Sequence, residues 1–231
     1  MLARTALLVS AVGLLASASS ANVIISDGVF APADWSLISI DVGGNGSTTT
    51  VSQQLTGGNP NEYRRVFNSV ASTPNSAIWG LHLYLPSSYD PSNQGVVSSV
   101  CYSEDAILFA GAGSGQASGM LIEQSGKYFV GPSHATAFAS WTNISDPVLL
   151  QSNFSEINPG SGALNAFSNP DFSAAGGVMQ FGFFRANSTS GGAYTRDGGI
   201  DNWSVCIVPA PGSAALLAGA GCLAMRRRRS A

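Results

Sequence analysis

"MLIEQSGKYFV", residues 120–130, carries the reading that decides the fold. Two runs rich in apolar and aromatic residues flank Gln124-Ser125-Gly126, a turn composition, and the stretch reads as a β-hairpin. The same grammar extends outward in both directions. "DWSLISID" (34–41), "TTTVSQQL" (48–55), "EYRRVFNSV" (62–70), "IWGLHLYL" (78–85) and "VVSSVCYSE" (96–104) precede it, with "AILFAGA" (106–112). "VMQFGFFRA" (178–186) and "IDNWSVCIV" (200–208) follow it. Gly, Asn and Pro punctuate between the runs. No stretch of 11 or more residues keeps a helical period, and no repeat at a solenoid or propeller period is visible. Residues 150–175 read as a long loop with one helical turn. About ten strands with dense turns predict an all-β domain over residues 22–207, an antiparallel two-sheet jelly-roll sandwich.

The two ends of the chain have a different composition. Residues 1–21 place one charge, Arg4, before an apolar run from Ala6 to Ala16 and then small residues. That order is a secretory signal peptide, with cleavage expected after Ala18 or Ala21. Residues 208–231, "VPAPGSAALLAGAGCLAMRRRRSA", end in an apolar run and four arginines. The run is apolar all round, which suits lipid or full burial. At about 14 residues from Gly212 it is shorter than the ~20 of a comfortable bilayer span. Arg226, Arg227, Arg228 and Arg229 then supply a cytoplasmic anchor under the positive-inside rule. The reading is a short membrane plug with a basic stop.

Val208-Pro209-Ala210-Pro211-Gly212, the apolar run and the arginine cluster together resemble the PEP-CTERM sorting signal of Gram-negative-type bacteria. The resemblance covers only about the last 24 residues. It implies export, transient anchoring in the inner membrane by the tail, and processing by an exosortase-type machinery for delivery to the cell surface or extracellular matrix. The usual glutamate between the prolines is Ala210 here. The resemblance gives a route and says nothing of chemistry.

Charged residues make up only 10% of the chain, against ~25% in typical soluble domains. Five of the ten Lys and Arg residues lie in the terminal segments, as Arg4 and Arg226–Arg229, while all 13 acidic residues stay in the domain. Five cations against 13 anions leave a mature charge of −8. Such a domain repels nucleic acid and anionic lipid, so no nucleic-acid partner is expected.

Two short motifs at the ends of the domain carry a second resemblance. "SDGVFAPADWSL" (26–37) looks like the opening strand of galactose-binding-like jelly rolls, and "GGIDNWSV" (198–205) looks like their closing strand. A laminin-G or lectin-like sandwich has a similar strand count, and the sequence does not separate the two. The resemblance implies a structural calcium where first and last strands meet. Calcium takes six to eight oxygens, and Asp27 and Asp201 are the side chains expected to supply them. Turn chemistry at Asp27-Gly28 and Asp201-Asn202 is the competing account.

The catalytic inventory is thin. His82 alternates with Leu81, Leu83 and Leu85 as an ordinary strand residue, and His134 sits in a loop. Glu104 and Asp105 are neighbours, so in a strand they face opposite ways and cannot flank one glycosidic bond. Glu62, Glu123 and Glu156 are isolated. No nucleophile, phosphate-loop or transition-metal motif is present, so no catalytic residue is assigned and the domain is read as non-enzymatic. Cys222 lies in the tail, which leaves Cys101 and Cys206 as an even pair in an exported domain, expected to form a disulfide. A flat aromatic ring stacks on the apolar face of a pyranose, and Trp79, Tyr84, Trp141 and Tyr194 are the candidate ligand-binding residues. The expectation is an exported surface or matrix protein whose sandwich binds polysaccharide. A secreted glycan-active enzyme and a purely structural matrix or adhesion protein are the alternatives.

Overall fold

In the computed structural model of the chain, residues 21–110 and 115–211 are described. They form fourteen strands in chain order. These are β1 (Val23–Asp27), β2 (Trp35–Val42), β3 (Thr48–Gly58), β4 (Asn61–Val70) and β5 (Ala77–Tyr89). A single helical turn, Pro91–Gln94, precedes β6 (Val97–Ala110). There follow β7 (Gln116–Gln124), β8 (Lys127–Val130), β9 (His134–Thr136) and β10 (Thr142–Leu149). Last come β11 (Ser155–Ile157), β12 (Leu164–Asn165), β13 (Met179–Ser188) and β14 (Tyr194–Pro209). One sheet runs β10-β6-β14-β4-β3 with β1 beside β14; the other runs β12-β11-β8-β7-β13-β5-β2 with β9 beside β7. Every pairing is antiparallel. The all-β two-sheet sandwich is therefore as expected.

The opening hairpin joins β7 to β8, with Gln124 opposite Lys127. Its two turn residues, Ser125 and Gly126, both have positive φ, 55° and 79°. That is the mirror-image turn whose twist matches the flanking strands. The expected segments 96–104 and 106–112 meet, over their described residues, in one long strand, β6. The long loop at 150–175 holds a 3₁₀ turn at Gln151–Asn153 and the short strands β11 and β12.

First and last strands meet, as the closing motif implied: β1 lies along β14 with Asp27 opposite Trp203. β14 runs past the expected boundary at residue 207. Val208 and Pro209 pair with Ser99 and Val97, and Ala210 N–H donates to the Val96 carbonyl. Pro209 lacks a ladder donor, which is tolerated because β1 no longer flanks β14 there. Gly212, Arg226–Arg229 and residues 1–20 of the expected signal peptide lie outside the described residues. Among the described residues no helix is long and apolar enough to cross a membrane.

Alternation along each strand sorts side chains between two apolar clusters. Between the sheets Trp35 is a hub, its ring 5.0–5.4 Å from those of Phe30, Tyr84, Phe183 and Trp203. Met179, Phe181 and Phe183 of β13 fill the same layer. On the opposite face of β13, Phe184 and Ala186 join Leu81, Leu83, Leu121, Val130 and Ile40. Each fully buried aliphatic or aromatic side chain contributes about 1.5–3 kcal/mol.

The inter-sheet layer also holds charge. Glu104 and Arg185, both fully buried, pair at 2.8 Å. Ser118 donates to the same carboxylate oxygen at 2.6 Å and Tyr102 to the other at 2.6 Å. The Tyr102 hydroxyl is held well above its ordinary pKa by burial and then by the Glu104 charge. Beside this pair His82 stacks on Phe183 at 4.3 Å, and its Nδ1 accepts from Arg64 Nε at 3.3 Å. Burial, then the Arg64 and Arg185 charges, hold His82 well below the ordinary imidazole range. Burial lowers Arg64 itself to about 10.

Candidate functional site

The second sheet carries a trough on its outer face. The register places Trp79 of β5 opposite Ala186 of β13, Ala186 opposite Ala117 of β7, and Ala117 opposite Ala135 of β9. Residues in one such row point to the same side, so three methyl groups form a floor that ends against the Trp79 indole. Larger side chains flank this row toward the centre of the face, where Phe184 packs 5.3 Å from Trp79. The resulting space is about 470 Å³. Ala77, Gly115, Ser133, Asn187, Ser188 and Tyr194 complete its lining, and none of these described lining residues is charged.

The wall beside the floor row is tied down by polar contacts. Tyr194 donates its hydroxyl to the Ser188 carbonyl at 2.7 Å. The Arg196 guanidinium carbon lies 4.5 Å from the Tyr194 ring centroid. The Gly115 carbonyl accepts from Arg196 Nε at 3.3 Å and from Asn187 Nδ2 at 3.0 Å. Gly115 has φ of 93°, and a Cβ there would stand 2.7 Å from the Thr136 carbonyl oxygen. Only glycine fits.

The structure brings two of the four expected aromatics, Trp79 and Tyr194, to this trough. Tyr84 does not join them. It lies five positions from Trp79 on β5, hence on the other face, and packs at the edge of the inter-sheet core on Trp35 and Trp203. Trp141 belongs to the outer face of the first sheet. Its indole N–H donates to the Gly57 carbonyl at 2.9 Å, and its ring stands edge-on to Tyr63 and Phe109 above Gly199. Sequence reasoning missed the three floor alanines, Ser133, Ser188 and Asn187; only their register gives them a common role.

The two aspartates assigned to calcium share no hydrogen-bond partner. Asp27 accepts from Val29 N–H at 2.8 Å, from Phe30 N–H, and from the Trp35 indole at 2.6 Å. Its oxygens are filled by its own loop. Asp201, nearly fully buried, accepts from Asn59 N–H and Asn202 N–H. It stands directly opposite Asp105 on β6. Asp105 in turn accepts from the side-chain amides of Asn59, Asn143 and Asn202, at 3.0, 3.0 and 2.8 Å. Burial, and beyond it the charges of Asp105 and Glu62, raise the Asp201 carboxyl against the pull of its two backbone donors. Among the described residues no three His, Cys, Asp or Glu side chains form a metal-sized group. The three amides turn N–H groups toward Asp105 and so answer its charge directly.

Cys101 and Cys206 are register partners on β6 and β14 and carry free thiols. Of the acids tested for catalysis, Glu104 is consumed by the buried ion pair and Glu156 by Lys127 at 3.0 Å. Glu123 accepts from the Gly126 N–H of the hairpin turn at 2.7 Å. His134 contacts both oxygens of Asp146, at 3.1 and 3.0 Å, and so ties β9 to β10 across the sheets.

Fold and site together define an all-β sandwich with an uncharged trough across one sheet. No protein-family model matches the chain, and no curated protein matches it. Solved structures of similar fold include the family 11 carbohydrate-binding module of the cellulosomal cellulase Lic26A-Cel5E of Clostridium thermocellum. That match has 18% identity and a TM-score of 0.49, over 83% of this chain and 97% of that one. The CBM22-1 xylan-binding domain of Paenibacillus barcinonensis Xyn10C matches at 13% identity and a TM-score of 0.40, over 84% and 99%. A β-1,2-glucanase of Parabacteroides distasonis matches at 14% identity and 0.40, over 75% of this chain and 23% of that one.

Proposed function

We propose that this chain is an exported, non-enzymatic protein that binds a neutral polysaccharide in the trough of its second sheet. The observation that carries the reading is the transverse row Trp79–Ala186–Ala117–Ala135. Four strands spaced about 4.8 Å apart give this row a length of about 14 Å. A row of that length suits a chain of sugars lying across the strands. The methyl floor meets apolar ring faces, the Trp79 indole closes one end, and Ser133 and Ser188 offer hydroxyl groups at the rim.

The lining favours a neutral ligand. It has no cation to pair with uronate or sulfate groups, and the domain as a whole is acidic. It also holds no carboxylate, whereas glycoside hydrolysis needs two flanking the bond. Binding without turnover is the reading this favours. The terminal segments add the route: export by residues 1–21, transient anchoring and sorting by residues 208–231, and delivery to the cell surface or matrix. A calcium ion, where bound, is held by Asp105 and Asp201 with the neighbouring asparagines, and stabilises the fold away from the trough.

The test uses the purified full chain against soluble hydroxyethylcellulose, xylan, glucomannan and galactan, with alginate and polygalacturonate as anionic controls. Retardation on one or more neutral polymers, lost in Trp79→Ala, is expected. No retardation on any of them, or retardation untouched by Trp79→Ala, overturns the reading.

A further inference from the structure

The trough wall is held from behind by a buried cation. Arg196 is only 4% exposed, yet among the described residues it makes no salt bridge. A guanidinium removed from water without a counter-ion is costly. What offsets the cost here is a set of neutral contacts that converge on the trough. Nη1 donates to the Thr195 carbonyl at 2.8 Å and Nε to the Gly115 carbonyl at 3.3 Å. The cation also lies over the Tyr194 ring. Tyr194 and Gly115 both line the trough, and Arg196 does not. On the next strand Asn68, the register partner of Arg196, donates to Asn187 at 3.0 Å, and Asn187 donates to the same Gly115 carbonyl.

We propose that Arg196 is a positioning residue for the trough: from its buried place it fixes the Tyr194 ring and the Gly115 carbonyl, and so sets ligand affinity without touching ligand. The inference rests on the trough being the binding site, but the placing of Tyr194 can be tested separately. A planar guanidinium lies over the half-buried Tyr194 ring while two of its N–H groups donate to the Gly115 and Thr195 carbonyls, an arrangement an ammonium does not reproduce. Removing the guanidinium therefore frees the wall tyrosine while leaving the floor in place.

The experiment uses the full chain with ring-labelled tyrosine, in which Tyr194→Phe assigns the Tyr194 signals by NMR. Arg196→Met and Arg196→Lys are compared with wild type. Arg196→Met is expected to move the Tyr194 signals and weaken retardation on the neutral polymer that wild type binds by about tenfold. Arg196→Lys, which keeps the charge and not the fork, restores part of both. The pair Arg196→Met with Tyr194→Ala is expected to be no weaker than Tyr194→Ala alone, because one residue acts through the other. Unchanged Tyr194 signals in a folded Arg196→Met chain overturn the inference, as do strictly additive losses. If wild type binds no polymer while the Tyr194 signals still move, the proposed function falls and the positioning of Tyr194 stands. Should Met at 196 prevent folding, the Lys variant carries the same comparison.

Discussion

Cys101 of β6 and Cys206 of β14 stand directly opposite each other across an antiparallel register step. Opposed residues of that kind have Cα atoms about 4.5–5.5 Å apart, within the range a disulfide bridges. Burial, followed by the contact with Cys206, pushes the Cys101 thiol up to about 11. Little thiolate forms at neutral pH, so spontaneous oxidation is slow and an oxidising compartment matters. We expect the protein, once exported as proposed, to carry the bridge. In the loop-entropy model, closing this span of chain contributes about 4–5 kcal/mol. Alkylation of the native secreted chain with and without reductant reads the outcome; two freely labelled thiols before reduction rule the bridge out.

Glu104 and Arg185 give a second expectation. Removing one partner of a buried, fully hydrogen-bonded pair leaves the other charge stranded, at a cost of about 3–5 kcal/mol. For a domain of this size that lowers Tm by about 10 °C. Glu104→Gln should show the full loss, since its amide cannot accept from Arg185, Ser118 and Tyr102 together. The double change Glu104→Leu with Arg185→Met should be less damaging than either single change. Thermal melts of the three variants decide it, and a mild Glu104→Gln would mean the pair is screened.

These two relationships differ in how far the sequence announced them. The strands were legible because apolar alternation persists through β2 to β8 and through β13 and β14. β10 was not, since "TNISDPVL" lies at an edge and contains Pro147, where the register with β6 slips. β9, β11 and β12, two or three residues each, are too short for any period to appear. At the trough, Trp79 was visible as an aromatic, and the alternation along β5 already set Tyr84 on the other face. Ala117, Ala135 and Ala186 carried no signal. An alanine becomes a floor only when three strands align it with others, and Ala186 pairs with Ala117 and Trp79, 69 and 107 positions away, which is not written locally.

His82 supplies a pH dependence. Its folded pKa lies well below the ordinary 6.5 because burial and two arginines oppose a third positive charge. Arg64 of β4 faces Nδ1, Arg185 of β13 is the other nearby cation, and Phe183 covers the ring. Below pH 6.5 the unfolded chain binds a proton that the folded chain refuses. The contribution is therefore fully present above that pH and lost as pH falls through it, by up to about 1.4 kcal/mol per unit. Tm should decline from pH 6.5 to 5.5, before most carboxylates titrate. His82→Gln, whose amide oxygen still accepts from Arg64, should flatten that decline. An equal decline in the variant would assign the dependence elsewhere.

Asp105 and Asp201 carry the last expectation. Like charges directly opposite in adjacent strands repel, and the Asp201 carboxyl is raised first by burial and then by that repulsion. Amide N–H groups of Asn59, Asn143 and Asn202 answer it in part. Turned about its amide, each of these asparagines presents an oxygen instead. Two carboxylates and three amide oxygens then approach the six to eight ligands that calcium takes, with water for the remainder. At a free calcium concentration near 100 times Kd, mass action would stabilise the folded chain by about 2.7 kcal/mol, or roughly 5–10 °C in Tm. Asp105→Ala and Asp201→Ala should each abolish the response. Asp27→Ala should leave it intact, because that carboxylate is spent on its own loop and on Trp35. Differential scanning calorimetry in calcium and in chelator tests all four proteins. A melting temperature indifferent to calcium in the wild-type chain would leave the asparagine amides as the whole answer to the repulsion, with Asp201 a turn residue and no ion bound.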